Sequence, residues 1–119
     1  MIAMKKLFLI YFLVATTISY SKEVSKNQEV NCINAMAMAE AAMTLRQNGV
    51  TLPTVLENNE KMLTSGKSTP KEASLMKMIV RDAYSKPKYT TEDYKQESIN
   101  EFSANYYLAC MEGYEAINQ

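Results

Sequence analysis

The sequence predicts an all-α fold: a small antiparallel bundle of about four helices, closed by one disulfide and preceded by an N-terminal export signal. Three observations carry this. Apolar residues recur at helical spacing along the chain after the leader, with no segment alternating apolar and polar over strand length. Glycine and proline are scarce, three of each, so little punctuates hairpins. The two cysteines, Cys32 and Cys110, stand near the two ends of the helical region.

The leader comes first. Lys5 and Lys6 give a positive start, Leu7 to Ala15 form an unbroken apolar run, and Ser19-Tyr20-Ser21 supplies the small–bulky–small exit that signal peptidase requires. The expected signal peptide is 1–21, with a cut after Ser19 as the alternative and retention as an anchor as a third course. The run falls short of the roughly 20 apolar residues of a spanning helix, so no membrane span is expected after its removal. Cleavage would leave 98 residues, enough for one domain, and a net charge of −2 with no basic run. Nucleic acid is therefore not an expected partner. Residues 22–28 read as a flexible polar segment, and 29–119 as a single helical domain in the periplasm or outside the cell.

Within that domain the first helix is expected from about Glu29 to Asn48, stopped by Gly49. Cys32, Ala35, Met36, Ala39, Ala42 and Met43 follow the three-then-four spacing of one face. Ala37, Met38, Ala41 and Leu45 widen that face, so the helix is expected to be central and buried nearly all round. The second helix starts at Thr51 with Pro53 in its first turn and ends near Ser65-Gly66. Its stripe, Leu52, Val55, Leu56, Met62 and Leu63, is thin. The third opens on a capping box, Thr69-Pro70-Lys71-Glu72, buries Ala73, Met76, Ile79, Val80 and Ala83, and stops before Pro87. Thr90 or Thr91 caps the last helix, which runs to about Ala116 with Tyr94, Ile99, Phe102, Tyr106, Ala109, Cys110 and Gly113 as its stripe.

An up-down-up-down order sets the first and last helices antiparallel and brings Cys32 to Cys110. An even cysteine pair in an exported domain reads as a structural disulfide, since no CxxC spacing or histidine is present to make a reactive pair. It would close a loop of about 78 residues.

The chemistry is sparse. Without histidine there is no Ser-His-acid triad and no HExxH zinc site, and the three glycines form no phosphate loop. The acidic pairs Glu92/Asp93 and Glu112/Glu115 read as surface charge rather than glycosidase carboxylates. No enzyme activity, catalytic residue, metal site or cofactor is expected. Met36-x-Met38 and Met76-x-Met78 have the form of Cu(I)-binding pairs. Residues two apart on a helix, however, point about 200° from each other, which favours methionine as a filler of core gaps.

After the leader all seven aromatics lie in the C-terminal part. Tyr89, in a loop, and Tyr107 and Tyr114, beside the stripe of the last helix, are the candidate contact residues for a partner, either another protein or a second copy of this chain. The competing reading has them cover the bundle ends. Arg46 and Arg81 sit where a cation favours a helix C-terminus. Taken in order, Cys32, the alanine-rich helix, Leu45-Arg46-Gln47-x-Gly49, Ala83-Tyr84 and Tyr107-x-x-Cys110 resemble small exported proteins of Gram-negative bacteria and their phages, a resemblance that implies no activity. In architecture the chain is also similar to acid-stress periplasmic chaperones, small, helical and held by one disulfide. The expectation is a non-enzymatic binding or structural protein of the envelope or periplasm, with the acid-stress chaperone as the alternative and a Cu(I)-binding protein behind both.

Overall fold

Four helices and no strand are present among residues 23–119, which are those described by the computed structural model. They are α1 (Lys26–Gln47), α2 (Leu52–Thr64), α3 (Pro70–Tyr84) and α4 (Glu92–Asn118). The signal peptide expected over 1–21 lies outside the described residues.

Each helix begins and ends for a local reason. α1 opens three residues before the expected Glu29. The Ser25 hydroxyl accepts from the Gln28 N–H at 3.2 Å, and the Gln28 amide oxygen accepts from the Ser25 N–H at 3.0 Å. This capping box turns residues 26–28, expected to be flexible, into the first helical turn. Thr69 and Glu72 form the second capping box, as their spacing predicts. Thr51 and Thr91 occupy the other two N-cap positions without a side-chain cap bond. α1 and α2 both end in Schellman motifs. Gly49 (φ 79°) and Gly66 (φ 76°) take the left-handed conformation, and the following N–H groups bond back, Val50 to the Leu45 carbonyl at 3.1 Å and Lys67 to that of Met62 at 2.9 Å.

α1 is the shared partner. α4 lies antiparallel along one side of it, α3 packs on another, and α2 packs on α3. Ala39, Ala42 and Met43 of α1 meet Ile79, Val80 and Ala83 of α3, with Ile99 and Phe102 of α4 and Val55 of α2 closing the cluster. The Phe102 and Tyr106 rings are 5.1 Å apart, centroid to centroid. Asn59 is buried, and its amide donates to the Ala73 carbonyl at 3.0 Å, tying α2 to the first turn of α3.

Because α1 has close neighbours on two sides only, it is not buried all round. Val30, Ile33, Ala37 and Ala41 are exposed, contrary to the expectation for this helix. Met38 and Met76 pack against the core, whereas Met78 is 63% exposed. Tyr94, expected in the buried stripe of the last helix, is 60% exposed: it sits in the first turn of α4, one turn ahead of the first core residue of that helix, Ile99.

The ends of α1 and α3 are fastened by polar contacts. Gln47, fully buried, donates from Nε2 to the Pro87 carbonyl at 2.8 Å and accepts at Oε1 from the Tyr89 N–H at 2.9 Å. The Arg46 Nε donates to the Lys86 carbonyl at 3.1 Å, and its guanidinium lies 5.4 Å from the centre of the Tyr84 ring. The Tyr84 hydroxyl donates to the Val50 carbonyl. At the opposite end Cys32 and Cys110 form the expected disulfide, with Cα atoms 5.4 Å apart.

Two outcomes follow for stability. Replacing both cysteines with serine should lower unfolding free energy by about 4 kcal/mol, the chain-entropy value for a loop of this length, as read by urea denaturation. Gln47→Ala should cost about 1–3 kcal/mol, because it leaves the Tyr89 N–H and the Pro87 carbonyl without their partner; a loss below about 0.5 kcal/mol would show that water replaces the amide.

Candidate contact surface

The core occupies the C-terminal half of α1 and the N-terminal half of α4. Beyond it, from Cys32 back to Lys26 and from Cys110 on to Asn118, the two helices run as a pair joined by the disulfide and by polar side chains. Gln28 and Asn118 exchange side-chain bonds, 3.3 Å from Gln28 Nε2 to Asn118 Oδ1 and 2.8 Å from Asn118 Nδ2 to Gln28 Oε1. The Asn118 amide also reaches the Glu23 carbonyl at 3.4 Å.

Two of the three candidate tyrosines lie here. The Tyr107 hydroxyl donates to Glu29 Oε1 at 3.4 Å, and the Asn31 amide donates to the Tyr114 hydroxyl at 3.2 Å. Burial pushes the Tyr107 phenol above its ordinary value, with the Glu29 charge and hydrogen bond adding to the rise. Both rings are half-buried, lying over the α1–α4 seam with their hydroxyls on polar groups of α1. The same stretch of the two helices also exposes Val30 and Ile33 on α1 and Leu108 (55% exposed) and Ile117 (76% exposed) on α4, with Leu108 on the face of α4 turned away from the seam.

Tyr89 is elsewhere. Its backbone is held by Gln47 at the C-terminal end of α1, and its ring faces Tyr94 at 6.1 Å. Since α1 rises about 1.5 Å per residue, the Gln47 end and the Asn31 end are roughly 24 Å apart. The structure therefore brings Tyr107 and Tyr114 together and leaves Tyr89 with Tyr94 as a separate aromatic pair.

Between these ends, Tyr106 donates to Asp82 Oδ2 at 2.8 Å, while Asp82 Oδ1 faces Lys86 Nζ at 3.5 Å. Burial, then the hydrogen bond to Asp82 and its negative charge, push the Tyr106 phenol up to about 12 from 10.0. Burial also raises the Tyr84 phenol, opposed by the Arg46 charge.

Among the described residues no group of three His, Cys, Asp or Glu side chains converges as a metal would require, and both cysteines are in the disulfide. Two surface depressions exist, one lined by Asn58, Lys61, Met62, Ser65 and Lys67, the other by Ala37, Glu40, Ala41, Thr44 and Leu45. Neither contains a candidate tyrosine. No described helix is long and apolar enough to cross a membrane.

The raised Tyr106 value has a direction that can be measured. Folding favours the neutral phenol, so this contribution is intact below pH 10 and drains as pH climbs from about 10 to about 12, where the unfolded chain releases its proton first. Tyr106→Phe should cost about 1 kcal/mol at neutral pH through the lost bond to Asp82. Its deficit against wild type should shrink between pH 10 and 12 in denaturant titrations, and a constant deficit would contradict the assignment.

Comparison with protein-family models, with curated proteins and with solved structures found no match to this chain.

Proposed function

We propose that the chain is a non-enzymatic binding or structural protein of the cell envelope or periplasm, exported through the leader at 1–21. It meets its partner through the disulfide-tied end of the α1–α4 pair. The observation that supports this is that Tyr107 and Tyr114, half-buried and held by polar groups of α1, stand beyond the core in a stretch where Val30, Ile33 and Ile117 are also exposed. Aromatic rings with a polar tip among exposed aliphatic groups are what contact surfaces draw on.

The supporting frame is the disulfide. Side chains at the far end of two helices hold a fixed relation only if the helices cannot splay, and Cys32–Cys110 crosses between them within one helical turn of Asn31 and Tyr114. Disulfides persist in oxidising compartments, which agrees with export. Placement of Tyr107 and Tyr114 against polar groups of α1 also holds the rings in one orientation before any partner arrives.

Affinity capture from native envelope tests the reading. Tyr107→Ala and Tyr114→Ala should each lower recovery of a specific partner about tenfold or more, the usual effect of removing an aromatic anchor. Tyr89→Ala, at the other end, should leave recovery within about twofold. If a partner is recovered equally by all three variants, the surface lies elsewhere.

A further inference from the structure

Two solvent-facing stripes on different helices are complementary in both charge and apolar pattern. α4 carries six carboxylates against one lysine. Its residues Glu101, Ala104, Leu108 and Glu112, spaced three, four and four apart, form an exposed row with Leu108 near its middle. Glu97 and Glu115 extend the same face and are exposed as well. α3 carries the counterpart. Lys71, Leu75, Met78 and Arg81, spaced four, three and three apart, make an exposed row with two apolar groups between two cations, and Lys77 is exposed beside it. The two carboxylates of α3 are engaged locally, Glu72 in the capping box with Thr69 and Asp82 with Tyr106 and Lys86. What α3 offers outward is therefore positive.

The lengths agree. Lys71 to Arg81 is ten residues, about 15 Å of helix, and Glu101 to Glu112 is eleven, about 16.5 Å. With the rows side by side in either direction, each cation meets a carboxylate while Leu75 and Met78 cover Leu108 and Ala104. Both rows face solvent, and no other described segment of the chain, residues 23–119, covers either.

We infer that the α4 row of one copy docks on the α3 row of a second copy of this chain. The inference goes beyond the binding reading, since it names a homotypic partner for faces other than the Tyr107–Tyr114 surface. Two different surfaces meet in this contact, so it is heterologous: one copy keeps its α3 row free and the other its α4 row, and association continues head to tail or closes into a ring. Its charges are exposed, so it is weakened by salt.

Sedimentation velocity on the mature, disulfide-bonded protein tests this over a range of concentrations and salt. Wild type should associate at low ionic strength and dissociate as salt rises from about 0.05 to about 0.5 M. The double reversals E101K/E112K and K71E/R81E should each lower the association constant by more than about a hundredfold, because like charges then face each other. Mixed in equal amounts, the two variants should associate again, since each supplies the complement of the other's reversed row. Circular dichroism establishes that each variant is folded. If either reversal unfolds the chain, the neutral variants E101Q/E112Q and K71Q/R81Q should instead weaken association about tenfold and flatten its salt dependence. A wild type that is monomeric at every concentration and salt overturns the inference, as does association that survives each reversal or a mixture that fails to recover it. A monomeric wild type leaves the binding reading to the capture experiment with Tyr107→Ala and Tyr114→Ala, so the two can fail separately.

Discussion

Alanine at positions 35, 39 and 42 sets how closely other helices approach α1, and the remaining packing follows from that approach. A methyl side chain lets a neighbouring helix backbone come near, so that Met43, Ile79, Val80 and Phe102 can interlock from three helices instead of each helix standing off on long side chains. Fully buried Ala39 and Ala42 also raise helix propensity in the segment that everything else contacts. The same choice limits the core. Alanine buries little area, so nine residues make up the buried cluster, and a covalent link contributes where further apolar contact is lacking.

Polar groups finish what the small core begins. Gln47 is the clearest case: a fully buried amide at the last position of α1 satisfies both its carbonyl and its N–H on the backbone of the α3–α4 connection. That connection contains Pro87, which has no N–H to donate, so its carbonyl is the group left for holding it. Arg46, one residue earlier, takes the neighbouring Lys86 carbonyl and lies against Tyr84. These contacts set where α4 begins and hence how it lies along α1.

Much of the architecture is legible in the residues because local signals agree with one another. Thr69-Pro70-Lys71-Glu72, the glycines that close α1 and α2, and the placement of Cys32 and Cys110 each point to an element that the structure contains. The Ser25–Gln28 capping box was equally present in the sequence, but the polar run around it reads as a fraying tail until Asn118 is known to lie against Gln28. Burial of α1 is less legible for a different reason. Periodicity tells which residues share a face and not how many neighbours a helix has; with α2 placed on α3, the side bearing Ile33 and Ala37 stays open. Tyr94 is the same lesson at a helix end, where an in-register aromatic extends past the last neighbour. The three candidate tyrosines share only a position off the buried stripe, and the length of α4 separates them: it begins at Glu92, just after Tyr89, and carries Tyr107 fifteen residues, about 22 Å, along its axis.

The disulfide has a mechanical consequence. Both ends of the described chain emerge at one end of the α1–α4 pair, with Glu23 and Asn118 in contact, and the Cys32–Cys110 bond lies just inside them. Tension applied between the two termini peels apart only the residues before Cys32 and after Cys110. It then loads a covalent bond, while the 77 residues between the cysteines, with the entire helical core, carry no force. A chain tethered at one terminus and pulled at the other would thus keep its folded body under loads that unravel an unbridged helical bundle of the same size.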